Sequence, residues 1–220
     1  MSALVNFGGG AIRTLPKVEM VMWGHGDTGG EVRNLTRFFS GLGTGHDRWS
    51  RILEQYGVRY PHHVLRGRWW DPRPAPANPT PTQTETEVAR AVRLLHLATS
   101  VQVILVSEAS VTPSGYGVQW CAYHSSIGKL QFAALGYVPG TLGCLNDTVI
   151  VSHEYAEMLT DPQYFGWTAS GFEIADLCEW GPPASVTLAT GTFPVARLWS
   201  NRNRGCVSEI RPVMTVRPLR

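Results

Sequence analysis

Hydrophobic positions along the chain change period several times, and each change marks an element. Val18–Trp23 (VEMVMW) is a short apolar run that ends in the glycine-rich turn GHGDTGG, and it predicts a buried strand. Leu35, Phe38, Phe39 and Leu42 then recur at helical spacing. After the glycines of GLGTG, Trp49, Ile52, Leu53 and Tyr56 repeat at i, i+3, i+4 and i+7, so an amphipathic helical pair is expected. Residues 71–84 (DPRPAPANPTPTQT) alternate proline with other residues, which presets extended backbone and removes donors, so this stretch predicts a surface loop.

Thr84 with Glu87 forms a capping-box pattern ahead of Val88, Ala91, Val92 and Leu95, predicting a helix, and Val101–Val106 (VQVILV) predicts a buried strand. Tyr116–Ser125 and Lys129–Leu135, joined through a glycine, read as a β-hairpin. Asn146 or Asp147 can cap a helix over 147–160 through VIVSHEYAEML, and Asp161-Pro162 ends it. Short irregular strands follow Pro183. There is no internal repeat, and the flanks of the proline-rich stretch do not resemble each other. The expectation is one α+β domain over 1–220, with a twisted mixed β-sheet, an active-site helix and residues 71–84 as a loop.

Composition narrows the function classes. With 43% hydrophobic and 16% charged residues the chain is globular rather than disordered. Nineteen Lys and Arg against 17 Asp and Glu leave a net charge of +2, which argues against nucleic acid as partner, and the Arg- and Trp-rich RGRWWDPR (Arg66–Arg73) reads as surface stacking. No run reaches the roughly 18 apolar residues of a membrane span, and MSALVNFGGGAIR lacks the plan of a signal peptide. Four cysteines without a CxxC exclude a zinc knuckle and favour disulfides, with three pairings open, in an oxidising compartment.

The sharpest chemistry lies in His153-Glu154-Tyr155-Ala156-Glu157, followed by Glu173 and Asp176 in GFEIAD. Residues four apart share a helix face, so His153 and Glu157 can reach one ion while Glu154 stands beside them. This is the HExxH arrangement of zinc peptidases with Glu in place of the second His, a change that Zn²⁺ accepts. A third ligand is expected from Glu173, the favoured one, or Asp176, three apart on a second helix, the other supporting the His153 ring. Four carboxylates and a histidine amid Tyr155, Met158, Leu159, Phe165, Trp167 and Phe172 need an ion or hydrogen bonds to compensate them. His124, Tyr155 and Trp167 are expected to face the substrate, with His124, Tyr155 or Tyr164 beside the oxyanion. His124 and Cys121 point to opposite faces of one strand, so they form no nucleophilic pair. His25 reads as a loop residue and His62-His63 as an exposed pair.

The chain resembles the Exordium or phosphate-induced protein family. VEMVMWG is similar to the family's early strand, WCAYHSS to its Cys-Gly-Phe-His-Thr segment, IVSHEYAEMLTDP to its helix with His-Glu-Leu-Ala-Glu, and EIADLCE to its Glu-Ile-Gly-Asp-Leu-Cys-Glu, in the same order. Plant members are longer and space the acidic segments further apart. The resemblance implies a zincin-like fold and a zinc metallopeptidase or secreted growth-related factor, with His153, Glu154, Glu157, Glu173 and Asp176 at the motif positions. It also implies export, cell-wall association and the disulfides Cys121–Cys144 and Cys178–Cys206.

The leading expectation is therefore hydrolysis of a peptide or protein substrate through a metal-activated water, with Glu154 as general base. Its rival is a non-catalytic secreted protein in which the cluster holds a structural Zn²⁺ or Ca²⁺ or forms a polar network while exposed aromatics engage a cell-wall glycan or protein. Glycoside hydrolysis by Glu154 and Glu173 is a third option.

Overall fold

A computed structural model of the chain describes residues 3–6, 14–24, 30–44, 47–60, 63–109, 111–136, 144 and 146–210. His25, His62 and most of the GHGDTGG turn lie outside the described residues. In chain order the elements are β1 (Val5–Asn6), β2 (Val18–Trp23), α1 (Glu31–Gly41), α2 (Arg51–Glu54), β3 (Leu65–Asp71), α3 (Pro81–Leu94), β4 (Gln102–Ser107), β5 (Ala122–Ile127), β6 (Leu130–Leu135) and α4 (Asp147–Thr160). They continue with β7 (Trp167–Thr168), a 3₁₀ turn at Asp176–Cys178, β8 (Ala184–Leu188), β9 (Gly191–Val195), β10 (Leu198–Ser200) and β11 (Gly205–Val207).

The centre is a five-stranded mixed sheet in the order β3-β2-β4-β6-β5, parallel except for β5, which runs antiparallel to β6 and closes one edge. Because strand residues alternate faces, the even positions Met20, Met22, Ile104 and Val106 enter a core shared with α1 and α4. The odd positions Val21, Trp23, Val103 and Leu105 pack under Val88 and Ala91 of α3. The fold is thus α+β with a mixed sheet, as the sequence pattern predicts. No helix among the described residues is long and apolar enough to cross a membrane.

Three local expectations change. The helix in the proline-rich region begins four residues early: Thr80 and Gln83 form the capping box and Pro81 takes the first turn, where its missing N–H is harmless. Thr84 and Glu87 therefore sit inside α3, and the loop ends at Thr80. Trp49, Ile52, Leu53 and Tyr56 are all buried, but only Arg51–Glu54 is helical, bounded by an Asp47 side-chain bond to the Ser50 N–H (2.9 Å) and by Gly57 at φ 95°. The hairpin's first strand begins at Ala122, after turns through 114–119.

α4 spans the expected residues because both of its ends are written locally. The Asn146 side chain accepts the N–H groups of Thr148 and Val149 (3.0 and 3.4 Å), and the helix ends ahead of Pro162. Asn34 of α1 donates to the Asp147 carboxylate (2.9 and 3.0 Å), while Thr148 and Ser152 bond the backbone of Pro194 and Ala196 (2.6 and 2.8 Å). Val151, Tyr155, Met158 and Leu159 fill the core. The remaining ridge, His153, Glu154 and Glu157, faces away from that apolar stripe.

Candidate metal centre

Two ridges meet at the site. Ala122 of β5 packs into the α4-side core, so by strand alternation His124, two residues on, points to the same side, toward α4. His124 Nδ1 lies 3.1 Å from Glu154 Oε2 and 3.6 Å from Glu157 Oε2. On the other side of the same carboxylate, His153 Nε2 lies 3.2 Å from Glu157 Oε1 and 3.3 Å from Asp176 Oδ1. Glu157 thus offers one oxygen to each histidine. The backbone N–H groups of Ala175 and Asp176, entering the 3₁₀ turn, donate to its Oε1 (3.3 and 3.2 Å) and fix it.

Two overlapping groups can therefore hold a metal ion: His124, Glu154 and Glu157, all buried, and His153, Glu157 and Asp176, two of them partly open. The donor chemistry, imidazole plus carboxylate, suits Zn²⁺ among other cations. A further observation fits an ion: His124 Nε2 and Glu173 Oε1 are buried 3.5 Å apart, yet neither has a hydrogen-bond partner.

Charge shapes the cluster. Burial pulls the His124 pKa down, but the Glu154 hydrogen bond and the charges of Glu173, Glu157 and Glu154 outweigh it and lift the group to about 9. His153 is raised well above its ordinary value against burial by Glu157 and Asp176. Burial first, then the Glu157 charge, pushes Glu173 up to about 9, whereas the His153 hydrogen bond holds Asp176 below the usual carboxylate range.

A cavity of about 670 Å³ opens beside the cluster, with His153, Glu154 and Asp176 among its lining residues. Its rims carry both disulfides. Cys121–Cys144 ties the approach to β5 to the segment before α4, and Cys178–Cys206 ties the 3₁₀ turn to β11. Both pairs agree with those implied by the resemblance, and they suit an oxidising environment. Replacing Cys178 and Cys206 by Ser is expected to lower stability in urea unfolding by about 2–4 kcal/mol. An unchanged midpoint would show that the bridge does not hold this rim.

The residues expected at the site divide. His153, Glu154, Glu157 and Asp176 come together as the sequence suggests, and Glu173 turns to His124 rather than to His153. Glu173 and Asp176 share no second helix, because the turn begins only at Asp176. His124, expected to face a substrate, is 8% exposed and lies among the carboxylates. Tyr155 is fully buried against Phe39, since its helix position falls on the core stripe, and Trp167 packs edge-on against Tyr56. Neither lines the cavity. Tyr164 stacks on the His124 ring and donates to the His124 carbonyl (2.8 Å). Arg197, on which the sequence gives no signal, lines the cavity too.

Comparison with protein-family models, with curated proteins and with solved structures finds no match for this chain.

Proposed function

We propose that the chain is a zinc-dependent hydrolase of peptide bonds, with His153, Glu157 and Asp176 holding the metal and Glu154 as general base. The observation that carries this reading is the convergence of those three donor groups beside an open cavity that Glu154 also lines. Bound there, zinc supplies Lewis acidity at the reacting carbonyl. Glu154, held by His124 Nδ1 at 3.1 Å, takes the proton of the attacking water and passes it to the leaving amine. The His124 contact fixes the carboxylate's rotamer.

A peptide suits the site because β5, which carries His124 against α4, is the edge strand of the sheet among the described residues, and edge strands are where extended chains add. The resemblance to the Exordium family supports a zincin-like fold, export and cell-wall association, and the two disulfides are consistent with export. A second reading rests on the burial of all of His124, Glu154 and Glu157: a closed ion site there would be structural, and the protein a non-catalytic binder.

Elemental analysis separates the two. Protein purified without chelator or His-tag is expected to carry about one zinc per chain, lost in His153→Ala and kept in His124→Ala. The opposite pattern would move the ion to the closed group. No metal in the wild type, even after zinc is added, would end both metal readings.

A further inference from the structure

We infer that this cleft selects peptides bearing a carboxylate, and that Arg197 receives it. The inference rests on the cleft reading above and adds the substrate class. The backbone before Arg197 is fixed on both sides: the Ala196 N–H donates to Ser152 Oγ (2.8 Å), and its carbonyl accepts the Trp49 indole N–H (2.9 Å). Ser152 directly precedes His153 on α4, so the Arg197 backbone is pinned beside the helix that carries the metal cluster.

Among the described residues, Arg197 lines the cavity without an acidic partner, whereas three arginines of the β3–α3 region are neutralised by carboxylates. Arg66 pairs with Glu19, and Arg73 and Arg90 pair with Asp71 and Glu87. Arg197 Nε is buried without any hydrogen-bond partner, and among the described residues no carboxylate forms an ion pair with its guanidinium, although Glu179 lines the same cavity. A buried guanidinium N–H left unpaired is destabilising, so its retention in a cavity wall calls for an acceptor supplied from outside. The planar guanidinium matches a carboxylate through two parallel N–H···O bonds. The cluster carboxylates would repel an anion elsewhere on the cleft wall, which leaves Arg197 as the place for it.

The rim supplies the rest of the recognition. Trp180 is 94% exposed and Val118 85% exposed, and both line the cavity. Large apolar side chains so exposed at a cavity mouth suit an apolar residue of the ligand. The class is therefore a peptide with an apolar side chain next to a carboxylate, which can be a free C-terminus or an acidic side chain.

The test uses three probes on the full chain, treated with chelator so that binding is read without turnover: Ac-Ala-Phe-Ala amide, the same peptide with a free C-terminus, and Ac-Ala-Phe-Glu amide. Affinity is read from tryptophan fluorescence, since Trp120 and Trp180 line the cavity. At least one carboxylated probe is expected to bind about tenfold more tightly than the neutral amide, and which one does so identifies the source of the carboxylate. Arg197→Gln is expected to erase the difference, and Arg197→Lys, which keeps charge but not the fork, to retain part of it. Circular dichroism checks the fold of both; should Arg197→Gln not fold, the decrease in Arg197→Lys carries the test. Equal affinity for all three probes, no binding of any, or a preference that survives in the variants overturns the inference. A preference without hydrolysis by the zinc-loaded chain would instead defeat the hydrolase reading and leave this one standing.

Discussion

Glu154→Gln is expected to lower peptide hydrolysis about 10²–10⁴-fold while zinc content stays at the wild-type level. The substitution keeps the shape of the side chain and an oxygen that accepts from His124 Nδ1, now 3.1 Å from Glu154 Oε2, so the fold around α4 is preserved. What disappears is the basic carboxylate. The same variant separates the two ion groups, because Glu154 belongs to the buried one and not to the open one. If the ion sits on His124, Glu154 and Glu157, the amide replaces a charged ligand and zinc content falls with activity. Turnover within tenfold of wild type, with zinc intact, would remove Glu154 from the chemistry. Paired measurements of hydrolysis rate and metal content on one preparation therefore decide both questions.

Much of this site was legible because its signals are local. α4 follows from an Asn at its cap, a Pro beyond its end and an i, i+4 pair of ligand types, all within seventeen residues of sequence from Asn146 to Pro162. The start of α3 is ambiguous by four residues in the sequence, because Thr80/Gln83 and Thr84/Glu87 fit the same capping pattern. Pro81 decides between them, since proline is welcome in a first turn and a poor fit in the interior. His124 was harder. Strand alternation tells that it shares a face with Ala122, but only the tertiary packing of β5 on α4 shows that this face meets Glu154 and Glu157. The choice between Glu173 and Asp176 also lies beyond local pattern. What places Asp176 beside His153 is a 3₁₀ turn whose opening N–H groups hold Glu157, a tertiary contact that sequence spacing does not encode. Arg197 sits between β9 and β10, where no periodicity distinguishes a cleft residue from a surface one.

Removing zinc is expected to reverse the pH dependence of stability between pH 6.5 and 9. In the metal-free chain His124 titrates near 9 instead of 6.5, His153 is raised well above its ordinary value, and Glu173 is raised from 4.5 to about 9. Each of these groups binds its proton more tightly folded than unfolded. The stability this supplies is complete below the unfolded pKa and is lost as pH rises through the folded one. For the two histidines that window opens near 6.5 and, for His124, runs to about 9, so His124 alone should cost the chelated chain about 2–3 kcal/mol across it, with His153 and Glu173 adding in the same direction. Zinc bound at His153, Glu157 and Asp176 would take the place of the His153 proton, so its affinity would rise with pH as that proton is released. Free zinc at about a thousandfold above Kd adds about 4 kcal/mol, and this contribution grows over the same interval that weakens the chelated chain. Urea unfolding at pH 6.5 and pH 9, with chelator and with zinc, should give midpoints that diverge as pH increases. Parallel shifts in the two series would mean that His153 does not exchange its proton for the ion, and that zinc, if it binds, does so elsewhere on the chain.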